Sequence, residues 1–146
     1  MNSKEEKALT TFRNGYNCSQ AVAMAYSEEM GLDENTIANI SSGFGGGMGR
    51  LQETCGAVTG AYIVMGTLCG RKYEDNSARK EAVYSLVQKF SEKFKTLNGS
   101  TDCRSLLNVE IRTAEGHDFA KSHHLFETVC EKCIKDSLSI VKELTQ

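Results

Sequence analysis

Residues Gly43 to Gly70 read GFGGGMGRLQETCGAVTGAYIVMGTLCG, and this stretch decides what kind of molecule the chain forms. Glycine fills Gly43, Gly45, Gly46, Gly47 and Gly49. Gln52, Glu53 and Thr54 then lead into an apolar segment bounded by Cys55 and Cys69. At helical spacing Cys55, Val58, Tyr62, Met65 and Cys69 form one stripe, with Gly56 and Gly60 one turn apart on a neighbouring face. Gly56, Gly60 and Gly66 each cost on the order of 1 kcal/mol relative to alanine, so tertiary contacts must recover roughly 3 kcal/mol. A second helix lying on the glycine face would do this, and so would a bound group approaching Cys55. The same face would also serve a homo-oligomer interface. With Thr54 as N-cap, Cys55 falls in the first helical turn, where free N–H groups and the helix dipole favour a thiolate. Such placement brings a thiol from about 8.5 into the range of roughly 3.5 to 7.5.

The glycine-rich loop matches no nucleotide-binding motif, lacking both GxxxxGK[ST] and a G-x-G-x-x-G placed after a strand. It reads as a flexible connector. Its successive amides at Gly45, Gly46 and Gly47 could form a nest facing thiolates or cluster sulfurs, with Gly56 letting backbone come close.

Outward from this stretch, helical signals continue in both directions. Ser3 to Asn14 reads as a short helix with Ala8, Leu9 and Phe12 on one side, stopped by Gly15. Asn17 can cap a second helix that runs to Gly31, with Cys18, Ala21, Val22 and Ala25 inward. Asp33 caps a third, whose Ile37 and Ile40 point into the core. Beyond Gly70, a long helix from about Ser77 to Leu97 carries an apolar stripe of Val83, Leu86, Val87, Phe90, Phe94 and Leu97. Asn98 and Gly99 end it, and Asp102 offers a cap for a turn starting at Cys103. Asn108 to Ser122 is weakly patterned, with a turn expected at Gly116. Thr128-Val129-Cys130-Glu131 reads as a capping box opening the last helix, which points Cys133, Ile134, Leu138, Val141 and Leu144 inward. Cys130 and Cys133, three apart, share one side of its mouth. No strand is convincing, and the fold expected is an all-α, single-domain bundle of five to six helices over residues 1–146.

Composition narrows the function. A formal net charge of −2, from 17 Lys+Arg against 19 Asp+Glu, gives no basic field for nucleic acid. The first residues lack the apolar core of a secretory signal, and the longest apolar run, Ala57 to Cys69, falls short of the roughly 20 residues of a membrane helix. The expectation is a cytoplasmic protein with no membrane insertion. The chain has no proline, where about seven would be usual at roughly 5 %, which suits helices joined by glycine turns. It has six cysteines, which in a reducing compartment argue for metal binding, redox chemistry or burial rather than a disulfide framework. Cys18, Cys55 and Cys103 each stand at an expected helix start. His117, His123 and His124 have no cysteine at finger spacing and read as surface or packing residues.

Cys18 in NCSQAV, the GFGGGMG run, CGAVTG from Cys55 to Gly60, Cys103 in DCRSLL and a last cysteine before the C-terminal helix together resemble the redox-active protein family named for its pattern C_GCAxxG_C_C. The resemblance spans nearly the whole chain. It implies a redox role carried by Cys18, Cys55, Cys103 and Cys133, with Cys130 as the alternative fourth member. Cys69 would then be an extra, buried residue. The resemblance also implies an unidentified redox or transporter-associated partner. A similar cysteine-bearing region occurs in split-Soret-type cytochromes, where an iron–sulfur centre is proposed, but the haem motif C-x-x-C-H is missing here, since Ile134 follows Cys133. Three functions remain open. Four converging cysteines could bind an iron–sulfur cluster or zinc. Cys55 could attack a disulfide with Cys18 or Cys103 resolving. Or the cysteines could be core residues of a non-catalytic interaction module.

Overall fold

The computed structural model describes residues 2–146, and among them the chain is all α with no strand. The helices are α1 (Ser3–Arg13), α2 (Cys18–Met24), α3 (Ser27–Met30), α4 (Glu34–Ser41), α5 (Gly56–Gly70), α6 (Asn76–Asn98), α7 (Cys103–Leu107), α8 (Ala114–Ser122) and α9 (Glu131–Thr145). Most starts are set by short polar caps. Asn17 and Gln20 form a reciprocal box at α2, while Asp33, Asp75 and Asp102 accept N–H groups in the first turns of α4, α6 and α7.

Helix α5 is the axis of the bundle, packed against α2, α6 and α9. Its Ala57, Val58, Ala61, Val64 and Met65 are fully buried. A Cβ placed on Gly60 would lie 2.7 Å from the Ser19 carbonyl oxygen, so the glycine face lets α2 come within backbone contact. The expected second helix is therefore α2 of the same chain. Gly66 differs: nothing lies within 4 Å of such a Cβ, and no close packing explains it.

Several local expectations are corrected. Cys55 is itself the N-cap of α5, one position earlier than Thr54 would place it, and its side chain makes no capping bond. Leu97 is 52 % exposed and Ile40 49 % exposed, so neither joins the core. Gly116 lies inside α8, where its N–H is capped by the Thr113 hydroxyl at 3.0 Å. No capping box opens α9. The Thr128 hydroxyl donates back to the His124 carbonyl at 2.9 Å, and a π-turn over Phe126–Cys130 runs straight into α9.

The glycine stretch is an ordered turn rather than a flexible connector. Gly46, Gly47, Met48, Gly49 and Arg50 all have φ between 61° and 69°, which makes one turn of left-handed helix. Glycine adopts this freely, whereas an L side chain such as Met48 or Arg50 costs roughly 1–2 kcal/mol. Backbone bonds hold the turn closed, from Gln52 N–H to Gly46 O at 3.1 Å and from Glu53 N–H to Gly47 O at 2.9 Å. Among the described residues, no helix is long and apolar enough to cross a membrane.

Candidate functional site: a cleft lined by five cysteines

The left-handed turn sits between three helix starts. Gly45 packs directly on Asn17, the cap of α2, and Asn17 Nδ2 donates to the Ser42 carbonyl at 3.0 Å. On the other side, residues 52–55 pair antiparallel with 101–104. Cys55 N–H donates to Thr101 O at 2.7 Å, and Cys103 N–H donates to Glu53 O at 2.6 Å. Two helix starts far apart in sequence are thereby clamped side by side.

The space these segments enclose is a cleft of about 1070 Å³. Cys18, Cys55, Cys103, Cys130 and Cys133 all line it. Cys69, on the far half of α5, does not. The four glycines singled out in the sequence, Gly45, Gly46, Gly47 and Gly56, line it too. The rest of the wall mixes apolar side chains such as Phe12, Leu106, Leu107, Ile111, Phe126 and Val129 with charged ones such as Arg13, Arg50, Lys121 and Glu131. His117 also faces the cleft, tilted against Phe126 with ring centroids 5.4 Å apart, while His123 stacks on Phe119 away from the cysteines.

The six cysteines are free thiols, and within the cleft four of them meet in pairs. Cys130 lies beside Cys18, and Cys133 beside Cys55, close enough to shift the Cys18 and Cys55 thiols. Cys133 and Cys130 thus both reach the site, and the choice between them as the fourth member does not arise from position. Among the described residues, no three His, Cys, Asp or Glu side chains are gathered tightly enough to hold a single metal ion.

The electrostatics reverse the expectation for Cys55. Contact with Cys133 and burial push its thiol well above 9.0, with the sulfurs of Cys18 and Cys133 adding in the same direction. Cys18 is the activated thiol. Donation from Cys130, helped by the N–H groups of Gly46, Cys18 and Ala57 and opposed by burial, lowers it from 9.0 to about 7. The amides that favour the Cys18 thiolate come from three segments, Gly46, Cys18 itself and Ala57, whereas Cys55 has only that of Ala57. Burial pushes Cys103 up to about 12. Cys130 moves up as well, chiefly because its proton is the one shared with Cys18.

Two site residues take roles beyond what the sequence offered, which for Gln52 was a contact with the helix start or a neighbouring thiol, or an ordinary capping or solvent position. Gln52 is fully buried among these segments rather than a solvent or capping residue. Glu131, next to Cys130, is buried and gripped from α1 by Arg13 through bonds of 2.7 and 3.1 Å. The pair ties α1 to the Cys130 turn. Glu131 takes this role in place of the capping-box role.

A sequence model of the family described as "Putative redox-active protein (C_GCAxxG_C_C)" matches residues 16–144. The chain belongs to this family. The match runs from just before Cys18 to just beyond the last core residues of α9, so all five cleft cysteines lie inside it, while Phe12 and Arg13 of the wall precede it. No curated protein and no solved structure matches the chain.

Proposed function

We propose that the cleft is a redox centre in which Cys18, Cys55, Cys103 and one member of the Cys130/Cys133 pair hold an iron–sulfur cluster. The observation that carries this reading is convergence: five of the six cysteines, from segments scattered between residues 18 and 133, line one cleft. Four thiolates are the usual complement of such a cluster, which would supply one-electron transfer.

The donor chemistry suits the group, although the sulfurs would have to draw closer together to hold it. Cys55, Cys103 and Cys130 resist ionising because several buried sulfurs cannot all carry charge unaided, and bound iron would provide the compensating positive charge. The amides of Gly46 and Ala57 already face the Cys18 sulfur and would stabilise it as a ligand. Zinc is the alternative occupant in this reading, and a cytoplasmic setting keeps the thiols reduced for either.

Anaerobic purification followed by iron, sulfide and zinc analysis and a visible spectrum tests the proposal. Near-stoichiometric iron and sulfide with a broad visible absorption are expected. A colourless protein without iron or zinc, even after reconstitution, overturns it.

A second reading rests on the Cys18–Cys130 contact. The Cys18 thiolate would attack one sulfur of an external disulfide and release the other as a thiolate, which takes the Cys130 proton. Cys130 would then attack the mixed disulfide, releasing the second thiol and leaving a Cys18–Cys130 bond. Under this reading a C130S variant stops at a mixed disulfide on Cys18, while absence of any adduct on Cys18 removes it.

A further inference from the structure

Gln52 is 2 % exposed and holds its backbone at φ 58°. That conformation costs an L side chain roughly 1–2 kcal/mol, and a buried amide adds a further penalty of about 1–3 kcal/mol unless its polar atoms are paired. They are paired. Nε2 donates to the Val109 carbonyl at 2.8 Å, and Oε1 accepts the N–H of buried Ile111 at 2.8 Å. The Gln52 backbone N–H reaches Gly46 O at 3.1 Å, and its carbonyl accepts from Arg104 N–H at 3.2 Å. One residue therefore joins the left-handed turn, the start of α7 and the bend that follows it. Gln52 also lies close enough to the Cys103 sulfur to offset part of the upward push that burial exerts on that thiol. Strain of this kind persists only where the surroundings over-determine it, and such residues concentrate at functional sites.

We propose that Gln52 is the positioning residue of the cysteine cleft: its backbone carbonyl meets the start of α7 and its buried amide holds the bend after α7, so that the two together fix this short helix against the Cys55 segment and deliver the Cys103 sulfur into the cleft. In its bearing on cluster binding, this rests on the reading given above. The positioning itself is testable without any cluster.

In metal-free protein, iodoacetamide labelling of Cys103 is compared with that of Cys69 by mass spectrometry in Q52G and Q52E. Glycine keeps the left-handed backbone at no cost and removes the whole side chain, leaving a cavity, while glutamate keeps the size and removes the donor, so the amide is tested by what the two share. Cys103 labelling should rise at least fivefold in both, with Cys69 within twofold of the unsubstituted chain and melting still cooperative. Unchanged Cys103 labelling in a folded variant overturns the proposal. Should neither variant fold, hydrogen exchange of the unsubstituted protein decides: the Ile111, Cys55 and Cys103 amides should open together, and Ile111 exchanging a hundredfold faster than Cys103 overturns the proposal. After reconstitution with iron and sulfide, Q52E should have a lower reduction potential, because it places a carboxylate charge near the Cys103 ligand. Failure of the unsubstituted protein to take up iron sinks the cluster reading and leaves the labelling result to decide on Gln52.

Discussion

The two halves of α5 are built from the same residue types and do different things. In the first half, Cys55 is buried in the cleft, Gly56 lies against the Cys18 sulfur and the backbone of Ser19, and Gly60 meets the backbone of α2. In the second half, Gly66 faces open space and Cys69 is only half-buried, outside the cleft. A small residue or a thiol on this helix therefore takes its meaning from what approaches it. The approach is made by α2, and α2 brings Cys18. Close packing at Gly60 and sulfur convergence at Cys55 are two consequences of one helix crossing.

Four measurements would break or sharpen this contrast. The largest difference is expected in iron content: C55S should lose nearly all bound iron and sulfide, and C69S should retain it, in anaerobically reconstituted protein. Equal retention would erase the distinction between the halves. Next, Gly60→Ala forces a methyl against the Ser19 carbonyl, which cannot give way as a flexible side chain would, and should cost about 3 kcal/mol in urea denaturation. A cost near zero would mean that α2 and α5 are not in backbone contact.

The third measurement is of pH. Cys18 has its folded value lowered from 9.0 to about 7, so the stability it contributes is present above about 9 and is lost as pH falls through 7. Cys103, raised to about 12, works the other way: its contribution is present below 9 and is lost as pH rises toward 12. Alkylation of the metal-free protein should accordingly show Cys18 reacting with a midpoint near 7 and Cys103 remaining inert until far higher pH. Identical profiles would remove the electrostatic difference between them. The smallest effect is at Gly66, where alanine meets nothing and should stabilise the protein by about 1 kcal/mol, read as a small rise in thermal midpoint. A loss there would show that the far half of α5 is packed after all.

Much of the fold was legible because it depends on local chemistry. Asn17, Asp33 and Asp102 announce their helices with a side-chain acceptor, and Cys18 and Cys103 fall where those caps put them. The glycine face of α5 announced a close neighbour. What stayed hidden depends on partners remote in sequence. Met48, Arg50 and Gln52 adopt left-handed backbone that only the surrounding bonds can hold, and nothing in their residue types asks for it. The Thr128 to Glu131 pattern has the right spacing for a capping box, but the chain before it is already helical, so the hydroxyl turns to His124 and Glu131 is taken by Arg13, 118 residues away. The membership of Cys130 in the site, and the transfer of the activated thiol from Cys55 to Cys18, follow from that same continuous turn. At the site, the sequence named the cysteines, and the assembled bundle decided their pairing.

Disulfide mapping tests this pairing most directly. Metal-free protein, oxidised gently with diamide and digested under acidic conditions, should yield Cys18–Cys130 and Cys55–Cys133 peptides, with Cys69 left as a free thiol. Cross-links that involve Cys69, or none among the five cleft cysteines, would contradict the claim that these sulfurs share one cleft.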